Sequence, residues 1–106
     1  MQHLSPLELK SLLETDPSHT YLLDVREPHE FEFCQISDSH LIPMQTIPAK
    51  LAQIPKDKTV VAICHHGMRS QQVANFLIQQ GFSNIANLDG GVEAWASQVD
   101  SDMPRY

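Results

Sequence analysis

The chain has 106 residues, a length that supports one hydrophobic core and one domain spanning residues 1–106. Thirteen acidic residues against seven basic ones give a formal net charge of −6, which argues against nucleic acid or an anionic membrane as partner. No apolar run approaches the roughly 20 residues of a membrane span, and the first residues lack a basic region followed by an apolar one, so no secretory signal is expected.

Residues 1–4 are placed to add a short edge strand. Ser5-Pro6-Leu7-Glu8 reads as a helix start, with a serine cap, proline at the first helical position and glutamate placed for a capping box. Leu9, Leu12 and Leu13 line one face at helical spacing, and Thr15-Asp16-Pro17-Ser18 ends the helix. Residues 21–25 are a short apolar run containing Asp24, the pattern of a buried parallel strand. Residues 26–33 form a short helical turn with Pro28 at its first position. Leu41-Ile42-Pro43 is a second, very short strand. Thr46 then caps a helix that carries Ile47, Leu51 and Ile54 and ends at Pro55. After the exposed turn Lys56-Asp57-Lys58 comes a strand over Thr59–Ile63. From Gln71 to Gln80, Val73, Ala74, Leu77 and Ile78 follow the helical period. Gly81 stands where a left-handed C-terminal cap belongs, with Phe82 for the accompanying hydrophobic contact. Residues 84–88 make the last strand, Asp89-Gly90-Gly91 a tight turn, and Val92 to Trp95 the start of a final helix. Phe31 and Trp95 are assigned to the core, and residues 97–106 to a tail that lies on the surface or frays.

Strands alternating with helices specify an α/β fold with a small, mostly parallel central sheet. Ligands bind such sheets beyond the carboxyl ends of the strands. Cys64 and the segment Asp24-Val25-Arg26 fall at two such ends.

The stretch after the strand at 59–63 is Cys64-His65-His66-Gly67-Met68-Arg69-Ser70. A strand that delivers a thiol into a loop opening a helix favours a reactive cysteine. The helix N-terminus offers unpaired N–H groups and partial positive charge, which favour thiolate and bound anions. Gly67 lets the backbone bend tightly. Arg69 is one of only three arginines, with Arg26 and Arg105. By position alone, Cys64 also fits a small buried hydrophobe and Arg69 a structural salt bridge. His65 and His66 form no convincing metal site, because neighbours on a tight loop rarely turn both side chains to one ion and no third ligand stands at a recognisable spacing. They are read as loop histidines that tune access and charge, and neither metal nor cofactor is expected. Asp24 and Arg26 are expected to form a buried charge network tying the strand end to neighbouring loops. Cys34 reads as a packed cysteine, with a resolving thiol for oxidised Cys64 as the alternative. Two cysteines make no disulfide framework, so a reducing compartment, most simply the cytoplasm, is the expected setting.

Four segments, in order, resemble the rhodanese domain. Asp24-Val25-Arg26-Glu27 with Glu30-Phe31 resembles its D-V-R-E…E-F segment. Ile36 and Ile42-Pro43 resemble its H-I…I-P segment. Cys64 to Arg69, with glycine fourth and arginine sixth, resembles its active loop. Leu88-Asp89-Gly90-Gly91 with Ala94-Trp95 resembles its L-x-G-G…A-W ending. The closing Met103-Pro104-Arg105-Tyr106 is also similar to the end of rhodanese modules fused to ubiquitin-activating-like adenylyltransferases, which makes the chain a stand-alone relative or an excised module. Cys34-Gln35 and Asp38-Ser39 depart from the family's Gly-His and Gly-Ala, and His65 replaces a frequent arginine. That last change exchanges a fixed charge for an intermittent one.

The resemblance implies a rhodanese-like fold, with helices on both faces of the sheet, and transfer of a sulfane sulfur. Cys64 would take sulfur from thiosulfate or a persulfide, become a persulfide, and pass the sulfur to a thiol or cyanide. Backbone N–H groups of His65, His66, Gly67, Met68, Arg69 and Ser70 would cradle the anionic sulfur, and the Arg69 side chain would hold the sulfonate of thiosulfate. Three alternatives remain: a persulfide relay to a sulfur-accepting protein, a non-catalytic interaction module, and a cysteine-dependent phosphatase. The phosphatase loops that this one resembles have five residues between cysteine and arginine; here four intervene.

Overall fold

The structure is a computed structural model that describes residues 1–106. Its five strands are β1 (Gln2–Leu4), β2 (Thr20–Asp24), β3 (His40–Leu41), β4 (Thr59–Ile63) and β5 (Ile85–Leu88). They form one sheet in the order β1-β5-β4-β2-β3, and every pairing is parallel. The edge strand at the start of the chain is present, paired to β5. The register sets Asp24 beside Ile63 and Asn87 beside Ala62. Three carboxyl ends therefore meet at one point, and Cys64 is the first residue beyond the middle one.

Alternation along each strand divides the core in two. Leu23, Val60, Ala62 and Cys64 face helix α3 (Met68–Gln79) and the segment Met44–Gln53, through Val73, Leu77 and Ile47. Leu22, Val61 and Ile63 face helices α1 (Pro6–Thr15) and α4 (Gly91–Gln98), through Leu9, Val92 and Trp95. Burial of each such aliphatic side chain contributes about 1.5–3 kcal/mol. Helices thus cover both faces of the sheet. None is long and apolar enough to cross a membrane.

Local signals explain most boundaries. Ser5 Oγ accepts the Glu8 N–H while the Glu8 carboxylate accepts the Ser5 N–H, completing the capping box of α1. Helix α2 (Pro28–Phe33) starts on the expected proline. Helix α3 ends in a left-handed Gly81, with the Phe82 N–H donating to the Leu77 carbonyl and the Gly81 N–H to that of Ile78, a Schellman closure.

Three expectations are corrected. The segment after Pro43 is not an α-helix capped by Thr46: Met44–Gln53 is 3₁₀, broken at Lys50, and the Thr46 hydroxyl donates backwards to the Pro43 carbonyl. Pro48 lies inside it and supplies no N–H, so α-type bonding fails there. Strand β3 ends at Leu41, just before the expected Ile42-Pro43. Helix α3 begins at Met68, three residues before Gln71, and its buried face is Ser70, Val73, Ala74 and Leu77, which leaves Ile78 exposed. The tail lies mostly at the surface, with Met103 alone buried in the second half of the core. Asp38, at a position where the resemblance leads one to expect glycine, adopts a left-handed φ of 67°, a conformation that Asp tolerates better than most residues.

Candidate active site

Helix α3 starts early because Gly67 caps it with φ 102°, in the left-handed region. A Cβ there would press to 3.1 Å of the Gly90 nitrogen, so the residue is fixed by both conformation and space. The free N–H groups of the first turn then point at sulfur. Cys64 Sγ accepts the Gly67 N–H at 3.0 Å and the Ser70 N–H at 3.3 Å, and Cys64 itself is 1% exposed. These are dipoles supplied by backbone, where a helix N-terminus already favours negative charge.

Beneath the sulfur runs a polar chain. The Cys64 thiol faces the Ser70 hydroxyl at 3.3 Å, and that hydroxyl donates to Asn87 Oδ1 at 2.5 Å. The Asn87 amide donates in turn to the Gly67 carbonyl (3.3 Å) and to Asp89 Oδ1 (2.9 Å). Both neighbours are acceptors, which orients the amide and leaves its oxygen for Ser70. Asp89 also accepts from His3 Nδ1 at 3.0 Å.

The loop is aimed from behind by α4. The Val92 N–H donates to the Cys64 carbonyl (2.9 Å) and the Glu93 N–H to the His65 carbonyl (3.1 Å). In a trans peptide the N–H points opposite to the C=O, so the His65 and His66 N–H groups face away from α4. The approach is so close that a Cβ on Gly91, whose φ is 60°, would overlap both carbonyl oxygens.

Charged side chains form the second wall. Asp24 and Arg26 are fully buried and paired, Nη2 to Oδ2 at 2.7 Å and Nε to Oδ1 at 2.9 Å. Arg26 also donates to the Glu30 and Cys34 carbonyls and to the Tyr106 hydroxyl. Burial pulls the Arg26 guanidinium down, yet its bonds to Asp24 and Tyr106 leave it above its ordinary range. Arg69 lies in a bidentate pair with Glu30 (2.8 and 2.9 Å), which raises the guanidinium and, with Tyr106 and the Glu27 N–H, holds the Glu30 carboxyl down at about 2. Tyr106 donates to Glu30 Oε2 at 2.7 Å and so joins the two pairs; burial pushes its phenol up to about 12.

The Tyr106 ring stacks on His65 with centroids 3.8 Å apart, and the His66 ring lies tilted against His65 at 3.9 Å. Burial, with the His66 charge beside it, lowers the His65 imidazole from its usual value. His65 Nε2 is buried without a partner, a condition that a neutral ring meets with a lone pair instead of a stranded proton. His66 and Met68 are exposed. No three His, Cys, Asp or Glu side chains gather as a metal site.

The chain matches the sequence model of the rhodanese-like domain over residues 5–98. It belongs to the rhodanese-like domain family. It is 42% identical to a sulfurtransferase of Allochromatium vinosum over 76% of both chains, and 35% identical to the thiosulfate sulfurtransferase GlpE of Pseudomonas aeruginosa over 95% of this chain and 89% of that one. It is 36% identical to the probable adenylyltransferase/sulfurtransferase MoeZ of Mycobacterium tuberculosis, over 97% of this chain but only 26% of MoeZ. Among solved structures, a rhodanese-like domain protein from Staphylococcus aureus superposes with a TM-score of 0.84 at 30% identity, covering 100% of this chain and 99% of the other.

The structure gathers Cys64, His65, Gly67, Arg69 and Ser70 at one point, with Asp24 and Arg26 one strand away. It separates Cys34, which packs in the other half of the core under Arg26; both cysteines are free. Sequence reasoning passed over Glu30, Asn87, Gly91 and Tyr106 as members of the site. Asn87 carried a signal, as the one polar residue of the buried strand β5.

Proposed function

We propose that this rhodanese-like domain, a sulfurtransferase by kinship, carries sulfur as a Cys64 persulfide held in the 65–70 loop. The observation that supports the reading most directly is the pair of backbone N–H groups, Gly67 and Ser70, already aimed at Cys64 Sγ. With thiosulfate, Cys64 thiolate attacks the outer sulfur, the S–S bond breaks, and sulfite departs with the bonding electrons. A thiol or cyanide acceptor then attacks the outer sulfur of the persulfide, and Cys64 leaves as thiolate. Both steps place an anion where the loop donors point, the arrangement by which preorganised dipoles lower barriers.

Roles follow for the remaining residues. Met68 opens the helix, Gly67 allows its turn, and the N–H groups of His65 and His66 extend the cradle. Arg69 spends two of the five N–H donors of a guanidinium on Glu30, and the others are available to a sulfonate. Asp24 and Arg26 support the loop from β2. GlpE's name makes thiosulfate the first donor to try. The free thiols suit a reducing, cytoplasmic setting.

The test is intact mass after incubation with thiosulfate or a small persulfide, with Cys64→Ser alongside. The expected result is a gain of one sulfur atom, reversed by reductant and absent in the variant. No gain from either donor would remove the reading.

A further inference from the structure

Around the mouth of the loop, each arginine is matched by a carboxylate. The one cation within the loop sequence, Arg69, is tied to Glu30 by two bonds. Glu30 is only 9% exposed and is held besides by the Tyr106 hydroxyl and the Glu27 N–H, so its negative charge is built into the wall and little screened by solvent. Arg26 is matched by Asp24, and Arg105 by Glu93, whose own N–H holds the loop at the His65 carbonyl. His65, under Tyr106, adds an aromatic face. What remains to attract a donor is the set of N–H dipoles. Dipoles serve a single developing negative charge well, whereas a dianion is best met by net positive charge. Among these polar groups two apolar side chains stay exposed: Met68 is 76% exposed, and Phe33, 51% exposed, stands edge-on to Tyr106.

We propose that Glu30, by neutralising Arg69, makes this site prefer an organic persulfide, R–S–SH, over the thiosulfate dianion as sulfur donor. The inference rests on the sulfur-transfer reading above and names its donor. In the step, Cys64 thiolate attacks the outer sulfur of R–S–SH and a new S–S bond forms. The old S–S bond breaks, R–S⁻ leaves with the electron pair, and the outer sulfur and its proton stay on Cys64. No oxidant or reductant is consumed. With an organic group R as leaving group, no second charge has to be accommodated beside Glu30.

The experiment measures the rate of sulfur loading at low salt, by alkylation quench and intact mass, from thiosulfate and from 2-hydroxyethyl persulfide generated in situ. Wild type, Glu30→Gln, Arg69→Gln and the double variant are compared through the ratio of kcat/KM for thiosulfate to that for the persulfide. The ratio is expected to rise about tenfold in Glu30→Gln, to fall by a similar factor in Arg69→Gln, and to return to within about twofold of wild type in the double variant, where the pair is neutral again. High salt should shrink both changes. A ratio that is constant across the variants, or that falls in Glu30→Gln, overturns the proposal. If one single variant does not fold, the other still carries its own signed expectation. Wild type that loads from neither donor sinks the sulfur-transfer reading itself, an outcome distinct from a constant ratio.

Discussion

Two strand ends lie side by side at the site and are built from different materials. Beyond β4 the chain surrounds Cys64 with backbone: N–H groups from Gly67 and Ser70, with carbonyls pulled away by Val92 and Glu93. Beyond β2 it uses ionised side chains, Asp24 with Arg26 and, through Tyr106, Glu30 with Arg69. Backbone dipoles carry no net charge, so they welcome an anionic sulfur without needing a permanent counter-ion in the same place. Buried ions need one, and the β2 end is accordingly paired off. The first end offers a vacancy for negative charge, and the second holds the walls. The two also fail differently. A backbone cradle depends on glycine-sized space, while a charge network depends on each partner being present.

The largest effect should come from filling that space. In Gly91→Ala the new Cβ overlaps the Cys64 and His65 carbonyl oxygens, main-chain atoms that cannot swing aside, at a φ that disfavours a side chain. The loop must shift by a fraction of an ångström to an ångström. Displacement on that scale from a productive geometry is expected to slow sulfur loading by about 10²-fold. Loading at the wild-type rate would show that the α4 clamp does not aim the cradle.

Breaking the other end should act on stability first. Arg26→Met leaves the Asp24 carboxylate buried without its partner, a loss of about 3–5 kcal/mol, measured by urea unfolding. Sulfur loading per folded molecule should fall much less than in Gly91→Ala. Asp24→Asn added to Arg26→Met should recover part of the stability, since the stranded charge is then gone. Equal damage to loading from both single variants would erase the distinction between cradle and wall.

The contrast also explains what the sequence disclosed. Backbone elements are written locally: the serine cap and Glu8, Gly81 with Phe82, and the apolar run into Cys64 were legible because each signal acts within a few residues. The cradle was legible for the same reason, a glycine and a helix start just after a strand. The 3₁₀ segment misled because Ile47, Leu51 and Ile54 keep a helical period while Pro48 denies the bonding. Long-range partners left little trace. Glu30 meets Arg69 across 39 residues of chain and Tyr106 meets Arg26 across 80, and no local pattern announces such pairs. Gly91 reads as one half of a tight turn; only the fold shows that its missing side chain makes room for another loop's carbonyls.

Acid offers the mildest way to separate the two ends. The Glu30 carboxyl is held at about 2 against an ordinary 4.5, chiefly by Arg69. Between those values the unfolded chain binds the proton that the folded one refuses. The stabilisation from Glu30 is therefore complete above about pH 4.5 and drains away as the pH falls toward 2, up to about 3 kcal/mol in all. Glu30→Gln has no such proton to bind, so its melting temperature should fall less steeply across that window than that of wild type. The cradle contributes nothing to the difference, because its donors are amides that do not titrate there. Parallel acid profiles for the two proteins would mean that the pair seen between Glu30 and Arg69 is no stronger in the fold than in water, and that the β2 end owes its order to the buried Asp24–Arg26 pair alone.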